Sequence, residues 1–520
     1  MIPVRNAVIL AAGPATRFVP LSLEQPKGLF EVGGERLIER QIRQLLQAGI
    51  SDITLVLGYK REMFLYLQEK FGVRCLYNPL YEEKNNIESL LLARDRIADT
   101  YICSCDNYFV QNPFRQQEEH AFYAGYRVDG PSQEMFVRTD ADGRILKMEK
   151  GLDGGAILLG HSFWTKEFAD AFFRIADCDR CVGRYEKAYW EWLVRDQLAL
   201  LPPFYFKEYP AGRIFEFDYF EELRDFDEAY RADAHSRIIR NICTVMHCKD
   251  MDVKCFRAVH EGLTNRSFVF RVGETDYIYR HPGDGTEYII SRRNERQSLE
   301  YARALGLDPT YLYMDVEEGW KISRYVPAFR EPDYADEADW AKVMPVLRRL
   351  HRSDVHPGYG MRPWEDALAM EALLRTKNPA CFAPYEDLKA RVGALYESTL
   401  GDGVQKCFCH GDTYAHNWMI TPAGEVILID WEYAGWSDPG IDVGYYIVDA
   451  QYDLPTARRF IAAYLEGAVT PVLERHYLSY TALIAYYWFV WALYRTSCGA
   501  HMDESLTAWR EMAERYACPR

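Results

Sequence analysis

Residues 6–18 read NAVILAAGPATRF. An apolar run leads into Gly13, Pro14 and a basic residue, Arg17. The run is short and closed by turn-formers, so it reads as a buried strand ending in a glycine turn. Alternation follows. Residues 36–49, RLIERQIRQLLQAG, carry apolar side chains at helical spacing and stop at Gly49. Residues 52–59 (DITLVLGY) are strand-like, 61–72 helical, 73–78 strand-like, 86–99 helical, and 100–107 (TYICSCDN) strand-like. Strands and helices in alternation with short links imply βαβ units and a mainly parallel sheet. Ligands of such sheets gather beyond the carboxyl ends of the strands. Leu10, Ala11, Ala12, Gly13 and, after another strand, Asp106 all fall there.

The chemistry-bearing residues cluster around those strand ends. Backbone amides of a glycine turn can approach a phosphate. Arg17 and Lys27, the latter in LSLEQPKGL (21–29), supply the positive charge that a triphosphate needs. No Gly-Lys-Ser/Thr follows the turn, so this is not a Walker A loop. SCDNY (104–108) contributes Asp106, and IFEFD (214–218) contributes Glu216 and Asp218. Two carboxylates can hold one Mg2+, although a single Asp at a strand end is more often a cap. YEKAYWEWL (185–193) offers Tyr189 and Trp190 as aromatic faces for a cation, where ordinary helix packing is the plainer explanation.

Composition narrows the partners. With 520 residues the chain holds two to four domains, and 48% hydrophobic and 27% charged residues are usual for a globular protein. A net charge of −16 opposes binding to nucleic-acid backbones and favours small molecules. No spacing among the 13 cysteines reads as a zinc-ligand set, and no leader precedes the first strand, so a reduced, cytoplasmic setting is expected. Residues 477–494, YLSYTALIAYYWFVWALY, are uncharged but rich in Tyr, and a pocket-lining helix is expected there rather than a membrane span.

The character changes after about residue 225. The expected division is a domain over 1–230, a helical linker over 231–245 and a second domain over 246–520. Three short strands are expected within 253–283, and a mostly helical region from 288 to the end, interrupted near 407–420 and 425–435. The first interruption holds CFCHGDTYAHNW (407–418), in which Asn417 stands five residues after Asp412. Asp430 follows an apolar strand 13 residues later. That register matches a phosphoryl-transfer loop, with Asp412 positioned for the hydroxyl proton and Asn417 and Asp430 for Mg2+. Thr264, Asn265 and Ser267 in the turn EGLTNRSFVF (261–270) are donors for nucleotide phosphates, Arg280 follows on the next strand, and Glu295 is its expected ion-pair partner.

Two resemblances sharpen these expectations. AAGPATRF, LSLEQPKGL, YNPLYEEKNNIESLLLA, SCDNY and IFEFD, in this order over residues 5–225, resemble bacterial CTP:phosphocholine cytidylyltransferases. The resemblance implies that Arg17 and Lys27 bind CTP phosphates, that Asn86 and Ser89 contact the nucleotide with the Leu10–Gly13 loop, and that Asp106 and Asp218 hold the metal. Glu216, Tyr189 and Trp190 would face the head group. Met135 departs from the pattern, since the family often has Trp there. GLTNRSF, YRHPG, HGDTYAHN, IDWEYAG and DPGIDVGYY, over about 245–520, resemble bacterial choline kinases of the aminoglycoside-phosphotransferase-like superfamily. That resemblance implies ATP as the phosphoryl donor, Asp412 as base and Asp442 as a supporting residue, grouped with the substrate contacts. Trp488, Trp491 and Tyr445 would line the choline site.

The implied fold is α/β: a Rossmann-like nucleotidyltransferase domain with a mixed, mainly parallel sheet, then a bilobal protein-kinase-like α+β domain. The implied function is bifunctional: choline becomes phosphocholine, and phosphocholine with CTP becomes CDP-choline, for decoration of cell-surface glycans. Both sites would use Mg2+, and no nucleic-acid or membrane partner is implied, while the oligomeric state stays open. The same two reactions on ethanolamine, a sugar-phosphate nucleotidyltransferase fused to an antibiotic-type phosphotransferase, and a catalytically dead nucleotide sensor are the alternatives.

Overall fold

The computed structural model describes residues 1–180, 182–259, 266–282, 291–498 and 502–518. The chain divides into two compact units, Met1–His260 with Phe268–Glu274, and Glu261–Ser267 with Thr275–Arg520.

The first unit is built on a nine-stranded mixed sheet. Strand Asn6–Ala11 lies at its centre, parallel to Ile53–Leu57 on one side and to Thr100–Ser104 on the other. Arg74–Tyr77 extends the parallel part. The long strand Asp153–Trp164 then joins Thr100–Ser104 antiparallel and carries Phe122–Pro131 and Met135–Thr139 beyond it. Side chains alternate across the central strand. Ala7, Ile9 and Ala11 enter one apolar cluster, and Val8 enters the other. Both faces are therefore covered, which is why the strand reads as unbroken apolar sequence.

One helix fixes the loop beyond Thr100–Ser104. Helix Leu37–Gln47 buries Leu37, Ile38, Ile42 and Leu45 against the sheet. It also buries two amides. Gln41 Nε2 donates to the carbonyls of Ser104 and Asn107, both at 2.8 Å. Gln44 Nε2 donates to Phe109 O at 3.0 Å. Carbonyls that turn away from the sheet ladder are satisfied by side chains, as buried backbone must be. Asp106 sits between the two carbonyls that Gln41 holds.

In the second unit, strands Thr275–His281 and Lys321–Arg324 pair antiparallel, with Tyr311–Met314 on the far side of Lys321–Arg324. The latter two lie where a helical region was expected. The stretch is TYLYMDVEEGWKISRY (310–325): aromatic and β-branched residues flank a turn, so pairing outweighs the weak helical appearance. Helix Arg292–Ala304 follows the first strand. The helical part carries one extended core, in which helix Gly440–Asp449 and the middle of helix Pro471–Ser497, residues 479–492, are buried. Those two helices touch backbone to side chain. A Cβ added at Gly440 would lie 2.5 Å from the Tyr480 ring, and one at Gly444 would lie 3.1 Å from Thr481 backbone atoms. No helix among the described residues is long and apolar enough to cross a membrane.

Replacing Gln41 by Leu leaves the Ser104 and Asn107 carbonyls unpaired in a buried place. A loss of about 1–3 kcal/mol from the first unit is expected, read as a lowered midpoint of its unfolding transition in urea.

Candidate functional site

Every residue that the sequence nominated in the first unit lines one cleft of about 660 Å³. The loop Leu10–Gly13, Arg17, Lys27, Asn86, Ser89, Asp106, Tyr189, Trp190, Glu216 and Asp218 all contribute to its lining.

Charge in this cleft is arranged as opposed pairs. Lys27 is only 8% exposed, and its Nζ meets Asp106 Oδ2 at 2.7 Å. Ser104 Oγ donates to Asp106 Oδ1 at 2.5 Å. Burial alone would lower the Lys27 pKa, but Asp106, Glu216 and Asp218 outweigh it and raise it. Burial likewise works against the Asp106 carboxylate, and Lys27 more than reverses this, so Asp106 lies below its usual range. Glu216 is exposed to the cleft and has no cation in contact; desolvation within the cleft and then Asp106 push it up to about 8, against the pull of Lys27. At the rim, Arg17 Nη1 reaches Asp218 Oδ2 at 3.1 Å. Asp106, Glu216 and Asp218 line the same cleft with one buried cation, Lys27, among them. Hard oxygen donors of this kind suit a divalent cation of the magnesium type.

Two nominated residues turn out to be engaged locally. Asn86 Oδ1 accepts from Trp190 N at 2.7 Å and its amide bonds Glu191, so it starts helix Trp190–Gln197 while lining the cleft. Ser89 Oγ accepts from Asn78 at 3.1 Å. Trp190 is buried and stacks on Tyr123 with ring centres 5.1 Å apart, whereas Tyr189 is half-exposed at the cleft mouth. The sequence reading missed Tyr123, Glu134 and Glu191, which also line the cleft. Glu191 is pushed up to about 7, chiefly by burial, and its Oε2 has no hydrogen-bond partner among the described residues. Met135 lies on the cleft wall, on strand Met135–Thr139.

In the second unit, Asp412, Asn417 and Asp430 come together as their spacing implied. Asn417 Nδ2 donates to Asp412 O at 2.8 Å and to Asp412 Oδ2 at 3.0 Å. Gly411 adopts φ +82°, and a Cβ there would stand 2.7 Å from Tyr433 O, so only glycine fits the turn before Asp412. Asp430 itself adopts φ +67°, a sparsely populated conformation for a non-glycine residue. Burial and then Asp430 raise Asp412 well above its normal range. Asp430 goes the other way, because Lys321 and Arg280 overcome the cost of burial.

Arg280 does pair with Glu295, Nη2 to Oε1 at 2.5 Å, and also reaches Asp430 Oδ1 at 2.9 Å. Lys321, unforeseen, stands opposite Arg280 on the neighbouring strand, 3.5 Å from Asp430 and 3.6 Å from Glu295. Glu432 completes the group. It is pushed up to about 8 by burial and by Asp430, and its Oε2 is buried with no hydrogen-bond partner among the described residues. This surplus of oxygen acceptors beside Asn417 and Asp430 again fits a hard divalent cation. Ser267 lies on strand Arg266–Val272, while Thr264 and Asn265 lie outside the described residues.

Asp442 is not at a substrate surface. It is fully buried behind the loop and accepts from His410 N at 2.8 Å and Gly411 N at 2.7 Å, with His351 Nε2 at 2.9 Å. Grouping it with the substrate contacts therefore needs correction: it holds the backbone that carries Asp412. Tyr445 hydrogen-bonds Asp412 and stacks on Trp488 at 4.9 Å. Trp488 and Trp491 meet edge to face at 5.3 Å, and Trp509, from the last helix, closes on both at 5.7 and 6.3 Å. Neither buried indole N–H has a partner among the described residues. Trp509 was missed because it stands alone in a polar helix, Asp503–Tyr516.

Comparison with known proteins covers both units. Residues 7–147 match the MobA-like NTP transferase domain, and residues 256–478 match the phosphotransferase enzyme family. The chain is 34% identical over 224 residues to a choline-phosphate cytidylyltransferase of Streptococcus pneumoniae, spanning 43% of this chain and 97% of that protein. It is 32% identical over 230 residues to a 2-aminoethylphosphonate cytidylyltransferase of Lancefieldella rimae, spanning 43% of this chain and 93% of that protein. Its second half is similar to the choline kinase LicA of Streptococcus pneumoniae, at 25% identity and a TM-score of 0.48, over 54% of this chain and 98% of that one. By its first half the chain belongs to the cytidylyltransferases of the NTP transferase family, and behind that half it carries a domain of the phosphotransferase enzyme family.

Proposed function

We propose that the chain makes CDP-choline in two steps, choline kinase chemistry in residues 246–520 and cytidylyl transfer in residues 1–230, in the cytoplasm. The observation that carries this is the pairing, on one chain, of a buried Asp412–Asn417–Asp430 set beside an aromatic cluster with a cytidylyltransferase cleft whose buried cation is Lys27.

In the kinase half the choline hydroxyl lies against Asp412, which takes its proton as the oxygen attacks the γ-phosphorus of ATP. Arg280 and Lys321 offset charge on the phosphates, and Asn417 and Asp430 would hold Mg2+. The indole faces of Trp488 and Trp491, with Tyr445 and Trp509, receive the quaternary ammonium; a desolvated cation–π contact contributes about 2 kcal/mol. In the other half, phosphocholine oxygen attacks the α-phosphorus of CTP in line and pyrophosphate leaves. Lys27 and Arg17 stabilise the charge that develops on the phosphates, and the loop amides near Gly13 orient them. Asp106, Glu216 and Asp218 would hold a second Mg2+. At either site the metal, when bound, supplies positive charge to phosphate oxygens.

Ethanolamine is the second reading. Glu191 Oε2, buried and without a hydrogen-bond partner among the described residues, suits an ammonium that can donate N–H, which choline cannot. Met135 also stands on the wall where the resembling family often has Trp. A panel of choline, ethanolamine and their phosphate esters decides: a higher kcat/KM for the primary amines at both sites overturns the choline assignment.

Asp412→Ala is expected to abolish phosphocholine formation and spare cytidylyl transfer, and Asp106→Ala to do the reverse; each product is followed separately by chromatography. Loss of both activities in either variant argues against two independent sites. The kinase pH profile gives a further check. Asp412 must be unprotonated to act, and its pKa is raised, so its acid limb should lie above the ordinary carboxylate value of about 3.9. The Tyr445 hydroxyl favours the ionised form of Asp412. Tyr445→Phe should therefore move that limb to higher pH, measured as kcat/KM for choline.

A further inference from the structure

Behind the Asp412 loop, three soft or borderline donors that are far apart in sequence come together. Cys407 and Cys409 occupy one short strand, Cys407–Cys409, 6% and 1% exposed, and their sulfurs stand 3.6 Å apart. His351, at the end of helix Glu337–His351, brings a ring nitrogen within 4.8 Å of both. We propose that His351, Cys407 and Cys409 form a binding site for one thiophilic d10 cation, taken here as Zn2+, separate from both nucleotide sites.

Two features of the geometry support this, and a third sets what must move. Two thiolates each about 2.3 Å from a tetrahedral zinc stand about 3.8 Å apart, close to the observed sulfur separation of 3.6 Å. His351 Nε2 lies 2.9 Å from Asp442 Oδ2, and the carboxylate makes that nitrogen the N–H donor. Nδ1 is then the nitrogen with a lone pair to give, and a ligating imidazole normally donates its other N–H to a carboxylate in this way. The Tyr464 hydroxyl, 2.8 Å from Nδ1, stands where the ion would enter, so binding requires it to turn away towards its other partner, Tyr477. Binding converts two thiols to thiolates and releases two protons, and the ion takes its third ligand from the neutral imidazole. The donor set separates this site from those of magnesium: thiolate and imidazole select zinc or copper(I), whereas carboxylates select magnesium.

Placement gives the site a consequence. Cys409 directly precedes His410, and Asp442 holds both His351 and the amides of His410 and Gly411. A bound ion would tie the helix carrying His351 to the strand that leads into the Asp412 loop.

The test uses the full-length chain, reduced and stripped of metal, then warmed with Zn2+ and freed of excess by a chelating column. One zinc per chain is expected by elemental analysis. Cd2+ in its place should give the ultraviolet thiolate-to-metal charge-transfer band. Cys407→Ser and Cys409→Ser should each weaken zinc binding at least tenfold and remove the band, while Cys243→Ser changes neither. X-ray absorption of the zinc-loaded wild type decides the matter if those variants do not fold: two sulfur scatterers at about 2.3 Å and two lighter ones at about 2.0 Å, the imidazole nitrogen and a fourth ligand, are expected. The proposal is overturned by no retained zinc, by zinc bound equally well in the serine variants, by an oxygen-only shell, or by a purified protein two mass units light with a Cys407–Cys409 disulfide.

Discussion

Both sites depend on a buried cation held against a carboxylate. A chain with a net charge of −16 has no general attraction for phosphates, so each site must create one locally. In the first unit Lys27 does this against Asp106. In the second, Arg280 and Lys321 do it against Asp430 and Glu295. Lys27 and Arg280 are kept charged by the acids beside them, and Asp106 and Asp430 are kept ionised by their cations, out of the water that would otherwise stabilise them. Each group also leaves one acid without a full partner, Glu216 in one and Glu432 in the other, both raised to about 8. The result is a place where anionic phosphate and a divalent cation can enter together without leaving a large net charge.

The scaffolds that hold these groups differ. Beside Lys27 the control is the carboxyl end of an interior strand. Asp106 is placed by a parallel strand and by the Gln41 and Gln44 amides of the covering helix. Around Asp412 the control is a single buried carboxylate, Asp442, which gathers two consecutive amides and a histidine. One solution uses ladder geometry and the other a buried polar hub.

Much of this was legible in the sequence, for physical reasons. The alternation over residues 6–107 marks strands buried on both faces, and the structure has those strands. Asp412, Asn417 and Asp430 are near in sequence and joined by one hairpin, Trp418–Ile420 with Val426–Leu428, so spacing alone brought them into register. What stayed hidden depends on long-range approach. Lys321 reaches the site through strand pairing in a stretch read as helical. Glu191 is a charged residue within an aromatic run, and nothing local indicates that Asn86, from a distant helix, meets it there. Trp509 and His351 sit in ordinary amphipathic helices, and only the tertiary fold gives them neighbours. Asp442 was legible as important but not as to which side of the loop it served, because DPGIDVGYY does not encode the direction of its side chains.

The contact of helix Gly440–Asp449 with helix Pro471–Ser497 has a consequence for how the aromatic cluster can change. Gly440 and Gly444 let the two backbones approach until Tyr445 stacks on Trp488, so the spacing of the rings is set by main chain rather than by the rings themselves. A methyl at either glycine acts as a spacer. Breeding such a protein for bulkier or slimmer cations would then proceed through residues that never meet the ligand, while every aromatic face is retained.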